Sequence, residues 1–348
     1  MWPANKKIRV MVIDDSILAR KLIVDGLSRN PRIEVVGTGF NAKDALAKVG
    51  QLKPDVITSD IEMPGMSGID FLKELLPRYP LPVILVSSLN LRVFDALSAG
   101  AVDFVRKPEP GKNEAFIAGL TQKVISAAGA KVRSSSAALT QPGGLTAALL
   151  GAKPAMDRVI IGLGASTGGT EATLEVLKRL PADIPGMLIV QHMPVGFTQM
   201  YAERLNRLCQ MEVREAKHGD EVRRGLALLA PADYQMRIVR SGSRYTVACV
   251  QGAEKVSGHR PSVDALFFSM AEQVRCKMIG IIMTGMGRDG ADGLLQMRKA
   301  GAYTIGQDKE SSVVYGMPMV AYNIGAVMIQ ASCENIASVL LRQLNQIQ

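Results

Sequence analysis

Val159-Ile160-Ile161-Gly162-Leu163-Gly164-Ala165-Ser166-Thr167-Gly168-Gly169 runs an apolar stretch into a glycine-rich turn that carries a serine. Helical spacing over 171–180 follows, so strand, turn and helix are predicted in succession, the repeating step of an α/β fold. Such a turn exposes the serine oxygen and aims backbone N–H groups and a helix N-terminus at one spot. Two chemistries use that arrangement, a nucleophile elbow and a phosphate-binding loop. Gly162-Leu163-Gly164 opens a dinucleotide fingerprint, but the pattern needs a third glycine where Thr167 stands. It also needs an acidic residue at the end of the next strand to bind ribose. That strand, 187–191, runs into His192, a poor ribose ligand and a good general base. The pattern Gly164-Ala165-Ser166-Thr167-Gly168 therefore reads as an elbow with Ser166 as nucleophile.

A serine–histidine pair needs a third group to orient the ring and stabilise its charge. Asp289, in Thr284-Gly285-Met286-Gly287-Arg288-Asp289-Gly290, follows the strand predicted at 278–283. Ser166, His192 and Asp289 thus all follow strands and meet at one sheet edge. The order Ser–His–Asp differs from the Ser–Asp–His of α/β-hydrolases. Backbone around Met286 offers an oxyanion N–H, and Thr167 lies beside the nucleophile to position it or to donate a second bond. His218, in Lys217-His218-Gly219-Asp220, reads as a solvated loop residue. For His259 two readings stay open: lining the cleft, or capping the helix that begins near Ser262.

Further strands are expected at 159–163, 226–230, 237–239, 245–250 and 303–306. The three from 226 to 250 lack helical patterns between them, which predicts a β-hairpin or meander interrupting a mostly parallel sheet. Upstream, residues 8–125 alternate strands (8–13, 33–37, 56–59, 83–87, 103–105) with helices such as 18–28 and 42–49, a doubly wound, flavodoxin-like parallel sheet. Between the two blocks, small and turn-rich residues around Ser134-Ser135-Ser136 and Gln141-Pro142-Gly143-Gly144 read as a linker, with a short helix at 145–150. The expected organisation is a first domain over 1–126, a linker over 127–157 and a second domain over 158–348.

Composition narrows the function classes. With 348 residues, 47% apolar and 21% charged, the chain can bury two ordinary cores and is not of disordered type. It contains no run of about 18 uncharged apolar residues, and its first residues lack a secretory apolar segment, so no membrane insertion is expected. Four scattered cysteines without a CxxC pair argue against a zinc site or a disulfide framework, and the expected location is cytoplasmic. The net charge of +9 is dispersed and aromatics make up 5%, so nucleic-acid binding is not expected.

Asp14-Asp15 ends the first strand and Asp60 the third, at the same edge of a doubly wound sheet. Three carboxylates there favour a hard cation such as Mg²⁺. Ser87 ends the fourth strand and Lys107 follows the fifth, adding a hydroxyl and an ammonium suited to a phosphoryl group on Asp60. Residues 8–125 resemble a two-component receiver domain through Asp14-Asp15-Ser16, Ser59-Asp60-Ile61-Glu62-Met63-Pro64-Gly65-Met66-Ser67-Gly68, Ser87 and Lys107-Pro108. The resemblance makes Asp60 the phosphoacceptor and gives Mg²⁺ to Asp15, Asp60 and the Glu62 carbonyl, with Asp14 a further candidate. It implies a cis Lys107–Pro108 bond, and it puts Phe104 at a switch aromatic, although a core phenylalanine reads equally from the sequence.

Residues 158–340 resemble the catalytic domain of chemotaxis protein-glutamate methylesterases of the CheB type. The matching stretches are Gly164 to Glu171, Gln191-His192-Met193-Pro194, His259-Arg260-Pro261-Ser262-Val263-Asp264, Thr284 to Gly290 and Tyr315-Gly316-Met317-Pro318. The resemblance implies a phosphorylation-activated hydrolase that demethylates glutamate methyl esters, and deamidates glutamines, on methyl-accepting chemotaxis receptors. Ser166 is then nucleophile, His192 base, Asp289 orienter and Met286 an oxyanion donor, with no cofactor for the ester chemistry. A chemotaxis histidine kinase would be the phosphodonor, the receiver would repress the catalytic domain until Asp60 is phosphorylated, and a monomer is the default. Two departures stand out: the segment between Ser87 and Gly100 is a few residues short, and Gln235 stands where the family often has a histidine. A binding-only response regulator and an unrelated serine esterase with a receiver attached are the alternatives, with a DNA-binding output a weaker one because no helix-turn-helix segment or basic recognition helix follows the receiver.

Overall fold

The computed structural model describes residues 2–3, 5–88, 92–132 and 154–347, and the short helix expected at 145–150 and most of the expected linker lie outside these. The chain divides into two compact units, 1–141 and 142–348.

The first unit alternates β1 (Ile8–Ile13), α1 (Ile17–Ser28), β2 (Ile33–Gly39), α2 (Ala42–Leu52), β3 (Val56–Asp60), α3 (Gly68–Leu75), β4 (Val83–Ser87), α4 (Arg92–Ser98), β5 (Asp103–Arg106) and α5 (Asn113–Ala127). Its parallel sheet has the order β2-β1-β3-β4-β5. β3 and β4 are buried along their whole length, as strands covered by helices on both faces must be. The order reverses at β1, and Ile13 pairs with Ser59, so the residues just beyond both strands meet at the switch point. Ser16 and Ser67 cap α1 and α3, accepting from the N–H groups of Ala19 and Asp70 and fixing where each helix starts beside that edge.

The second unit contains β6 (Val159–Ala165), α6 (Gly169–Leu177), β7 (Gly186–Gln191), α7 (Phe197–Leu208), β8 (Glu212–Glu215), β9 (Leu226–Leu229), β10 (Tyr234–Ser241), β11 (Arg244–Gln251), α8 (Val263–Gln273), β12 (Lys277–Ile282), α9 (Ala291–Lys299), β13 (Tyr303–Gln307), α10 (Met317–Asn323), β14 (Ile329–Ala331) and α11 (Cys333–Asn345). Seven strands form a parallel sheet in the order β14-β13-β12-β6-β7-β9-β8. β6, first in the chain, lies between β7 and β12, with Ala165 beside Gln191 and Gly164 beside Ile282. Their C-terminal ends therefore share one edge.

The hairpin is present, but it is β10 paired with β11 alone, an antiparallel ribbon separate from the main sheet. The apolar run beginning at Leu226 is β9, which joins the parallel sheet between β7 and β8 instead of forming a meander with the next two strands. All four of its residues are buried, which suits a strand inside a parallel sheet. The ribbon packs on α8: Met236, Ile238 and Val247 join Phe267 and Met270 in one core, and the Ile238 N–H donates to Ser269 Oγ at 3.0 Å.

Candidate active site

β6 delivers Ser166 directly past its last residue. The Ser166 N–H donates to the Thr284 carbonyl at 2.9 Å, and its own carbonyl accepts from the Gly169 N–H at 2.7 Å and from Gln191 Nε2 at 2.8 Å. Gly168 has φ +75°, a left-handed conformation that lets the chain turn from the serine into α6. A Cβ on Gly169 would sit 2.2 Å from Gln191 Oε1 and 2.7 Å from Ala165 Cβ, so the turn closes only on a bare α-carbon.

His192 is the first residue past β7, and its N–H donates to the Ala165 carbonyl at 3.2 Å. Its Nδ1 is 3.1 Å from Ser166 Oγ and its Nε2 is 2.8 Å from Asp289 Oδ2. Asp289 is 2% exposed and also accepts from Ser262 Oγ at 2.7 Å, the Val263 N–H at 2.8 Å and the Asp264 N–H at 3.0 Å. It thus sits on the N-terminus of α8, where unpaired N–H groups and the helix dipole favour an anion. Burial works to raise the Asp289 pKa, but the hydrogen bond and charge of His192, with the Ser262 hydroxyl and the Asp264 N–H, outweigh it and hold the carboxyl below its ordinary range. An ionised Asp289 only accepts, so a neutral imidazole bonded to it through Nε2–H would turn its Nδ1 lone pair to the serine hydroxyl. This is the reverse of the usual serine-protease ring assignment.

The loop after β12 closes the site. A Cβ on Gly285 would fall 2.7 Å from Ser166 Cβ, so the residue before Met286 packs directly against the serine. Thr167 is buried, and its carbonyl accepts from Thr284 Oγ1 at 3.0 Å, tying the residue after the serine to the same loop. Of the other histidines, His218 is exposed. His259 lies in the site, its ring stacked on that of His192 at 3.9 Å. The cap of α8 is Ser262, whose Oγ accepts from the Ala265 N–H at 3.2 Å. Sequence reasoning did not single out Ser262 or Gln235 as site residues. Gln235 Oε1 accepts from the Ser262 N–H, and its Nε2 donates to the carbonyls of Glu254 and His259. The stretch from His259 to Asp264 flagged this region, but nothing in it showed that a strand residue 27 positions away holds it.

In the first unit, Asp14 and Asp60 are buried, Asp15 is exposed, and their carboxylates offer oxygens all within 4.8 Å of one another. Lys107 Nζ donates to Asp60 Oδ2 and lies 3.7 Å from Asp14 Oδ2. Burial opposes the lysine charge, but the hydrogen bond to Asp60, with the charges of Asp60, Asp14 and Asp15, raises its pKa. Burial likewise raises the Asp14 pKa, against the pull of Lys107. Asp14 Oδ2 is buried without a hydrogen-bond partner, an oxygen suited to a hard cation, so the residues present fit Mg²⁺. Ser87 is buried at the end of β4, with its hydroxyl donating to the Ser88 carbonyl at 2.9 Å. The Glu62 N–H donates to Asp60 Oδ1 at 3.2 Å. Phe104 is buried edge-to-face on Phe94 at 6.5 Å, a core placement. The Lys107–Pro108 bond, expected cis, is trans; the cis peptide among the described residues is Arg260–Pro261. The lysine reaches Asp60 without the isomer that the resemblance implied.

A doubly wound receiver sheet together with an α/β unit that aligns serine, histidine and aspartate defines a response regulator with an enzyme-like output domain. Family models match on both parts: the CheB methylesterase model over residues 161–340 and the response regulator receiver domain model over residues 10–116. A protein-glutamate methylesterase/protein-glutamine glutaminase 2 of Syntrophomonas wolfei is 48% identical over 98% of this chain and 99% of its own. A protein-glutamate methylesterase/protein-glutamine glutaminase of Syntrophotalea carbinolica is 47% identical over 95% of this chain and 96% of its own. The crystal structure of the Thermotoga maritima CheB methylesterase catalytic domain superposes with a TM-score of 0.51 at 32% identity, covering 53% of this chain and 97% of that one. The chain belongs to the CheB methylesterase family.

Proposed function

We propose that this chain is a phosphorylation-activated protein-glutamate methylesterase and protein-glutamine glutaminase, acting on methyl-accepting chemotaxis receptors. The observation that carries the reading is the unbroken series from Ser166 Oγ through His192 to Asp289. Ser166 Oγ attacks the ester carbonyl while His192 Nδ1 takes its proton, and Asp289 stabilises the resulting imidazolium. The Met286 N–H, with Thr167 beside it, receives the tetrahedral oxyanion. Collapse expels methanol, protonated by His192, and water then hydrolyses the acyl-enzyme to restore glutamate. A glutamine side chain enters the same acyl transfer and loses ammonia. The ester chemistry needs no cofactor.

In the receiver, taken as residues 1–126 and joined through 127–157 to a catalytic domain over 158–348, Asp60 accepts the phosphoryl group from a chemotaxis histidine kinase. Asp14, Asp15, Asp60 and the Glu62 carbonyl would hold Mg²⁺, which when bound neutralises charge on a transferring phosphoryl group. Lys107 holds the acceptor carboxylate, and Ser87 lies on the next strand for the phosphoryl oxygens. Phosphorylation relieves repression by the receiver. We place the protein in the cytoplasm as a monomer, with no nucleic-acid partner and no membrane insertion; among the described residues no helix is long and apolar enough to cross a membrane.

The test is methanol release from methylated chemoreceptor membranes, with and without a small-molecule phosphodonor and Mg²⁺. Release should rise with phosphodonor, vanish in Ser166→Ala, and persist without stimulation in Asp60→Ala. Release by Ser166→Ala, or stimulation of Asp60→Ala, would overturn the corresponding assignment.

A further inference from the structure

The rings of His192 and His259 lie face to face, with centroids 3.9 Å apart and planes within 9° of parallel. His192 makes two hydrogen bonds through its ring nitrogens, to Ser166 on one edge and Asp289 on the other, and bonds to ring nitrogens are best aligned in the ring plane. Those bonds fix the ring within its plane but oppose only weakly a rocking motion about the line that joins its nitrogens. A flat surface against the ring face blocks that motion.

His259 is itself firmly held. The Val256 N–H donates to the His259 carbonyl at 3.1 Å, and the His259 N–H donates back to the Val256 carbonyl at 2.9 Å. Between them, Ser257 and Gly258 have φ of +50° and +82°, the pattern of a tight two-residue hairpin turn. Two buried anchors secure that hairpin: Gln235 Nε2 donates to the His259 carbonyl at 2.9 Å, and Ser257 Oγ donates to Asp264 Oδ2 at 2.6 Å. Gln235 is 1% exposed and also holds the Ser262 N–H, so the ring support and the anchor of Asp289 share one side chain.

We propose that His259 is a positioning residue, whose ring face keeps the His192 imidazole coplanar with Ser166 Oγ and the Asp289 carboxylate. The proposal rests on the reading of Ser166, His192 and Asp289 as the reacting series. A ring that rocks misdirects the Nδ1 lone pair, which slows proton transfer and leaves substrate binding alone.

The experiment measures kcat and KM for receptor methyl-ester hydrolysis by the full-length chain carrying His259→Ala, His259→Leu or His259→Phe, with melting temperatures alongside. Loss of the flat face in the Ala and Leu variants should lower kcat about ten- to hundredfold, the scale of a small misplacement of reacting groups. KM should move by less than about twofold, because on this proposal His259 acts through the His192 ring. His259→Phe, flat but without ring nitrogens, should recover most of the loss. If His259→Ala fails to fold, the Leu and Phe variants, similar in bulk but not in flatness, carry the comparison. A kcat unchanged in Ala and Leu, a loss confined to KM, or a Phe variant no better than Leu would overturn the proposal. An active Ser166→Ala would instead overturn the reading of the series itself, and the role of His259 would fall with it.

Discussion

Asp289 gathers four donors on one buried carboxylate: the His192 ring, the Ser262 hydroxyl and the N–H groups of Val263 and Asp264. Ser262→Ala removes both a helix cap and a hydrogen bond to a buried anion, and should cost about 2 kcal/mol of stability. Chemical denaturation of the variant checks that figure, and a reduced kcat should accompany it as Asp289 loosens. The sign of the Asp289 shift sets a pH dependence. Its pKa is lower folded than its ordinary value, so the stabilisation is full above that value and is lost as pH falls through the folded pKa. Asp289→Asn should therefore melt below the parent at neutral pH, with the two melting temperatures converging below about pH 4. At this scale Ser166, His192 and Asp289 stand out in the sequence because each lies in a distinctive glycine-rich or strand-end context, and the fold brings them together. For His259 the sequence leaves two readings, lining the cleft and capping a helix, and Ser262 and Gln235 give no site signal, because their meaning depends on partners brought together from separate elements.

The elements that carry the site show where a small side chain is required and where it is merely tolerated. A Cβ on Gly285 would meet Met317 Sδ at 2.3 Å, Ser166 Cβ at 2.7 Å and Ser166 N at 3.1 Å. The methionine can swing away, but the serine and its backbone must shift, so Gly285→Ala should lower kcat about a hundredfold. Steady-state kinetics against a thermal melt will separate that loss from simple unfolding. Gly119, inside α5, has open space around its α-carbon and ordinary helical φ. Gly119→Ala should raise stability by about 1 kcal/mol, read as a higher denaturation midpoint. Strands with strongly apolar runs, such as β1, β4 and β7, could be read from sequence almost to the residue. β8 and β14 could not: Glu212–Glu215 is mostly polar, and Ile329–Ala331 has three residues. Both lie at the two ends of the sheet, where burial imposes no apolar pattern.

Across the whole molecule, the two units apply one rule, placing polar side chains beyond the strand ends where strand order reverses. In the first unit that rule crowds like charges, and Asp14 keeps a buried oxygen without a hydrogen-bond partner. Millimolar Mg²⁺ should therefore raise the melting temperature through preferential binding to the folded state, and Asp15→Asn should weaken that response. Calorimetry with and without the cation measures both. The alternation of strands and helices made both units legible, whereas the separation of the β10–β11 ribbon from the main sheet depends on packing against α8, which no local pattern encodes. In the second unit, the three groups of the proposed series come from distant parts of the chain, with His192 and Asp289 alone 97 positions apart. Synthesis proceeds from the N-terminus, so a growing chain carries Ser166 and His192 well before Asp289. If the proposed series is the reacting one, chains cut before Asp289 are chemically quiet, and hydrolytic power arrives only once β12 has paired with β6 and brought the following loop to the sheet edge.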